Sequence, residues 1–145
     1  MPWVTPKTDW QSIDYFNAED YNRLKNNTQY IYTLYNQRGF TLPTWENMGP
    51  DKAVGDLIYK EDYRKILVNL RDCCAPQVAN NYAVLERVYE EITRYVFDDR
   101  AFIYTTLNNL ESAQQILYDI LTRDPRAEWR NFTYWLQGNQ IGERL

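Results

Sequence analysis

An all-α fold is predicted from three observations. Apolar residues recur three and four apart over most of the chain, helix-start and helix-stop residues bracket these runs, and the β-rich stretches lie inside longer helical periods. Those stretches are Tyr30-Ile31-Tyr32-Thr33-Leu34 and Phe102-Ile103-Tyr104-Thr105-Thr106, and neither has turn residues beside it. The length of 145 residues fits one domain. A domain of that size buries roughly 70% of the surface its unfolded chain exposes. The expected architecture is an antiparallel bundle of four to five helices over residues 17–138, preceded by an extended N-terminal arm (1–16). A long connection joins helices one and two, and residues 139–145 form a C-terminal tail.

The arm carries Pro2, Pro6 and the spaced aromatics Trp3, Trp10 and Tyr15, without a helical period. Helix one starts at Asn17, a good N-cap, with Glu19 and Asp20 in the first turn where acids favour the helix dipole. Tyr21, Leu24, Thr28, Ile31 and Tyr35 form one face, and Gly39 is the stop. Pro43, Gly49, Pro50 and Gly55 keep residues 40–58 irregular, with Phe40, Leu42, Trp45 and Met48 pinning them to the bundle. Helix two is expected from Lys60 to Cys74, with Tyr63, Ile66, Leu67 and Leu70 inward and Pro76 ending or bending it.

Helix three is expected from Gln77, burying Tyr82, Leu85, Val88, Tyr89, Ile92 and Val96. Asp98 and Asp99 are candidate caps of a fourth helix with Ile103, Leu107, Leu110, Leu117 and Leu121 on one face. No Gly or Pro separates helices three and four, so a single continuous helix is the alternative. Asp124-Pro125 restarts the chain as N-cap and first helical position of a short last helix with Trp129, Phe132, Trp135 and Leu136, ended by Gly138.

Composition narrows function mainly by exclusion. The net charge is −4, with acids and bases interleaved, so no nucleic-acid partner is expected. No apolar run approaches the ~18 residues of a membrane span, and the first residues lack the apolar stretch of a signal peptide. Histidine is absent, which removes the serine and cysteine triads and the commonest neutral-pH proton shuttle. The glycines form neither a dinucleotide fingerprint nor a phosphate loop. Cys73 and Cys74 are adjacent, too close for an unstrained disulfide, and are expected to be reduced. With no other cysteine, no metal site, cofactor or enzyme activity is expected. Arg23 and Arg64 are read as surface ion-pair partners.

Aromatics are the compositional oddity: 13 Tyr, 5 Trp and 5 Phe. Such residues suit half-buried contacts between helices and between chains. Trp3 and Trp10 in the arm, with Trp129, Tyr134 and Trp135 near the end, are therefore the candidate partner-binding residues.

One pattern recurs. Glu19-Asp20-Tyr21 and Glu61-Asp62-Tyr63 each open a helical run and are followed by polar residues and then an aliphatic. The fuller stretch Lys7-Thr8-Asp9-Trp10, continued by Phe16-Asn17-Ala18-Glu19-Asp20-Tyr21-Asn22-Arg23-Leu24-Lys25-Asn26-Asn27, resembles a motif of tail-associated structural proteins from phages and prophages of Gram-positive bacteria. It covers about residues 7–31 and departs from the family pattern at Lys25, where glutamate is usual. The resemblance implies a non-enzymatic virion structural protein of the tail, baseplate or fibre attachment, made in a bacterial cytoplasm. Its implied partners are other virion proteins and further copies of itself. A carbohydrate-binding module for host cell walls and a small helical adaptor for a host protein are the alternatives.

Overall fold

Asn17 and Asp20 open α1 (Ala18–Gln37) by capping each other's backbone. The Asn17 side chain accepts from the Asp20 N–H at 3.0 Å, and the Asp20 carboxylate accepts from the Asn17 N–H at 3.1 Å. The computed structural model describes residues 3–40, 42, 45–78, 82–98 and 104–123. Among them lie four helices and no strand: α1, α2 (Lys60–Val78), α3 (Ala83–Asp98) and α4 (Tyr104–Thr122).

All five residues of the face expected on α1 are buried. Thr28 is tolerated there because its hydroxyl donates to the Leu24 carbonyl at 2.9 Å. The helix stops in a Schellman turn: Gly39 takes φ +83°. Its N–H donates to Asn36 O at 2.9 Å, and the Phe40 N–H donates to Tyr35 O at 3.0 Å. The Phe40 ring packs on Tyr35 at 5.8 Å, the apolar contact that accompanies this turn.

At the start of α2 the Asp62 carboxylate accepts from the Tyr59 N–H at 2.9 Å, the job Asp20 does for α1. The recurring Glu-Asp-Tyr is therefore a repeated helix start. Its two tyrosines meet edge to face, Tyr21 against Tyr63 at 6.0 Å. Ile66, Leu67 and Leu70 are buried as expected.

The expected ends of helices two and three are both displaced. α2 continues through Pro76 to Val78, with Gln77 fully buried inside it, and α3 begins at Ala83. Pro76 lies two residues from the end of α2, so its missing N–H interrupts only the last turn. Leu85, Val88 and Ile92 of α3 are buried, as are Leu107, Leu110, Leu117 and Leu121 of α4. The Val96 side chain, Asp99 and Ile103 lie outside the described residues, and Asp98 is the last residue of α3.

α3 and α4 fold back on one another. Asn109 donates to Glu91 at 2.8 Å, although a continuous helix would set these residues about 27 Å apart. The expected antiparallel arrangement holds for that pair but fails for α1. Tyr21 meets Tyr63 and Tyr35 bonds to Cys73 O, so α1 and α2 run parallel. Arg23 meets Glu111, Thr28 meets Gln114 and Tyr30 meets Tyr118, so α1 and α4 also run parallel. Parallel neighbours need a connection that returns the full helix length, which is why residues 38–59 are long. Leu42 and Met48 are buried within that crossover, and Trp45 stacks on Tyr32 at 4.0 Å.

Candidate functional site

Arm and crossover lack regular hydrogen bonding, so their backbone needs other partners. Four asparagines on the helices supply them, each gripping both the N–H and the C=O of a single residue. Asn27 holds Val4 (3.1 and 2.7 Å) and Asn108 holds Trp10 (2.6 and 3.0 Å). Asn22 holds Lys52 (2.8 and 2.8 Å), and Asn69 holds Glu46 (3.0 and 2.7 Å). Lys25, the departure from the motif, adds a fifth tie: its ammonium donates to Gly49 O at 3.0 Å and pairs with Asp51 at 2.6 Å.

The arm closes over a buried charge. Glu111 on α4 is 1% exposed and accepts from Arg23 Nε (2.7 Å), Arg23 Nη2 (2.9 Å), Trp10 Nε1 (2.6 Å) and the Lys7 N–H (3.0 Å). Arg23 also reaches Asp20 at 2.9 Å and lies over the Trp10 ring at 5.9 Å. Burial works against the guanidinium, but its bonds to Glu111 and Asp20 outweigh that and raise its pKa. Arg23 is therefore no surface pair, as its sequence context suggested; its side chain is 12% exposed. Arg64 fits that expectation better, pairing with Glu46 at 2.8 Å and with Glu61 while about a third exposed.

This cluster is built to hold and not to react. Four donors occupy the lone pairs of Glu111, leaving none to take a proton from a substrate. Asp20 is engaged by Asn17 and Arg23. Cys73 and Cys74 are free and buried, and burial pushes both thiols up, away from the reactive thiolate. Among the described residues no group of His, Cys, Asp and Glu could hold a metal ion, and no helix is long and apolar enough to cross a membrane.

The arm tryptophans expected to anchor a partner are used within the chain. Trp10 is 4% exposed, and Trp3 stacks on Tyr118 at 4.3 Å with Tyr30 beside it. The reason lies in α4: Glu111 gives the Trp10 N–H a buried acceptor, and Tyr118 gives Trp3 a flat ring. Trp129, Tyr134 and Trp135, with the expected last helix and tail, lie outside the described residues.

Exposed apolar surface gathers elsewhere, where α1 and α2 begin. Tyr15 and Val54 are 88% and 98% exposed, and Ile13, Leu57 and Tyr59 are also exposed. Between the two segments is an open hollow of 430 Å³, lined by Phe16, Asn17, Ala18, Val54, Gly55 and Ile58, with Glu19 and Asp56 adding acid. Lysines are nearby but engaged: Lys7 pairs with Asp9 and Asp14, and Lys52 with Asp62. The face is thus apolar with an acidic edge. Sequence reading missed it, because Val54, Leu57 and Tyr59 carry no period and precede a helix instead of lying on one. The one available signal was apolar residues beside Gly55, in a loop whose other apolar residues are tied down.

Among protein families, curated proteins and solved structures, none matches this chain.

Proposed function

We propose that this protein is a structural component of a phage or prophage virion, in the tail, baseplate or fibre attachment, acting by protein–protein assembly. The observation that carries the assembly reading is the exposed apolar face around Tyr15, Val54, Leu57 and Tyr59. Single exposed apolar residues are ordinary, but a hollow lined by Phe16, Val54 and Ile58, with exposed Tyr15, Leu57 and Tyr59 next to its lining residues in sequence, marks an interaction surface. Elsewhere among the described residues, four asparagines hold backbone and the arm tryptophans pack on α1 and α4, while Val4 and Tyr104 are exposed apart from this face. The resemblance of residues 7–31 to tail-associated proteins supports virion proteins as the partner class. Among the described residues, the reading fits a helical bundle with an exposed apolar face at the start of α1 and α2.

The experiment is co-purification. The tagged chain, expressed with the products of its neighbouring genes, is expected to retain one or more tail proteins. Val54→Asp with Leu57→Asp should abolish retention while leaving the helical circular dichroism spectrum unchanged. Failure to retain any tail protein in the unsubstituted chain refutes the proposal.

A further inference from the structure

We infer that the hollow where α1 and α2 begin receives a segment of a partner protein that carries lysine or arginine beside apolar residues. This rests on the assembly reading above and names the chemistry of the segment that its face takes.

The first observation is how the apolar side chains are displayed. Val54 stands at the tip of a turn that is closed twice. The Asp56 N–H donates to Ala53 O at 3.0 Å, and the Ala53 N–H donates to the Asp56 carboxylate at 2.7 Å. Gly55 takes φ +92°, a backbone state open to glycine. The same build precedes α1: the Asp14 N–H donates to Gln11 O at 3.0 Å and the Gln11 N–H to the Asp14 carboxylate at 2.9 Å, with Ile13 within the turn. Both apolar side chains are exposed, Val54 almost completely. A loose loop folds such side chains onto the bundle, as the crossover does with Leu42 and Met48. These closed turns hold them in water instead, so a partner meets them already ordered.

The second observation is charge. Among the described residues lining the hollow, Glu19 and Asp56 are acids and none is a base. No described ion pair or hydrogen bond engages the Glu19 carboxylate, and Asp56 spends one oxygen on Ala53. The bases at this end are taken: Lys7 by Asp9 and Asp14, Lys52 by Asp62, and Lys60 is engaged as well. Tyr15 and Tyr59, next in sequence to the lining residues Phe16 and Ile58, are exposed and stack on no described ring. Two carboxylates and two open tyrosine faces are what an ammonium or a guanidinium seeks. A segment with a basic residue meets them while its apolar neighbours cover Phe16, Val54 and Ile58. An acidic segment would set like charges together, and so would a second copy of this face docked by a two-fold axis.

The test uses the full chain and overlapping peptides of about 15 residues that cover the tail proteins of the neighbouring genes. Peptides that bind on a cellulose array should hold lysine or arginine within about three positions of a large apolar residue. Fluorescence anisotropy then gives their affinities. The neutral variant, Glu19→Gln with Asp56→Asn, should bind them about tenfold more weakly, and Val54→Asp at least as weakly. The asparagine oxygen still accepts the Ala53 N–H, and Glu19→Gln alone, which leaves the turn untouched, should give part of the loss. Raising salt from about 0.05 to about 0.5 M should weaken binding to the unsubstituted chain and barely change that of the neutral variant.

Bound peptides that lack a base overturn the inference. So does a neutral variant that binds as tightly as the unsubstituted chain, or an array on which nothing binds. Sedimentation velocity that shows self-association abolished by Val54→Asp also overturns it, since a second copy then holds the face. Any of these, with tail proteins still retained in the co-purification, leaves the assembly reading standing. Retention of no tail protein sinks the assembly reading, and the peptide affinities still judge the face.

Discussion

Replacing Glu111 by glutamine keeps its shape and removes its charge, and the cost can be worked from its four donors. Bonds to a charged group contribute about 1.5–3 kcal/mol each, but these share one carboxylate and do not add. Breaking a buried ion pair by changing one partner costs about 3–5 kcal/mol. Arg23 keeps Asp20 at 2.9 Å, and 12% of its side chain reaches water, which favours the lower end. The glutamine NH2 must also face two donors, Arg23 with either the Lys7 N–H or the Trp10 N–H, so two bonds become clashes of hydrogens. The expected loss is about 3 kcal/mol, or roughly 10 °C in Tm for a chain of this size. Urea unfolding followed by far-UV circular dichroism gives the free energy, and a calorimetric scan gives the Tm. The double variant Arg23→Met with Glu111→Leu should be less destabilised than the sum of its single changes, because it leaves no buried charge unpaired. A loss below about 1 kcal/mol for Glu111→Gln, or strict additivity in the cycle, refutes the view that this buried carboxylate is what fastens the arm.

Other consequences are smaller and separable. Gly39→Ala forces an L side chain to φ +83° with open space around it, so the cost is backbone strain alone, about 1 kcal/mol in urea unfolding. The bond from the Tyr59 N–H, and then Lys52, hold the Asp62 carboxyl below its usual 3.8. Its stabilisation is therefore complete above pH 3.8 and lost as pH falls through the lower folded value, so the deficit of Asp62→Asn measured at pH 7 should shrink on acidification below that point. Cys73 and Cys74 should resist a thiol reagent in the folded protein and react within its mixing time in urea; fast modification of the native chain would contradict their burial.

The all-α class, the start and stop of α1, and the buried faces of α1, α2 and α4 were legible because each depends on neighbours within four residues. Asn17, Asp20 and Gly39 act on backbone groups close in sequence, and periodicity alone selects Tyr21, Leu24, Ile31, Leu110 and Leu117 for the interior. The ends of α2 and α3 were misplaced around Pro76 because a proline near a helix terminus removes little, and packing of Gln77 prolongs the turn. Arg23 was misread because its partner Glu111 lies 88 positions away and looks, in sequence, like any acid on a helix flank.

What the sequence by itself determined, then, is the helical class, both ends of α1, the start of α2 and which helix sides are apolar, since those are short-range properties of backbone hydrogen bonding and side-chain spacing. Only the tertiary structure decided that α1 lies parallel to α2 and α4, that four asparagines hold the irregular segments, that the arm tryptophans turn inward, and that Tyr15, Val54, Leu57 and Tyr59 stay in water. Helix direction and loop course are fixed by contacts between residues distant in sequence, and no local pattern encodes which distant partner a side chain will meet.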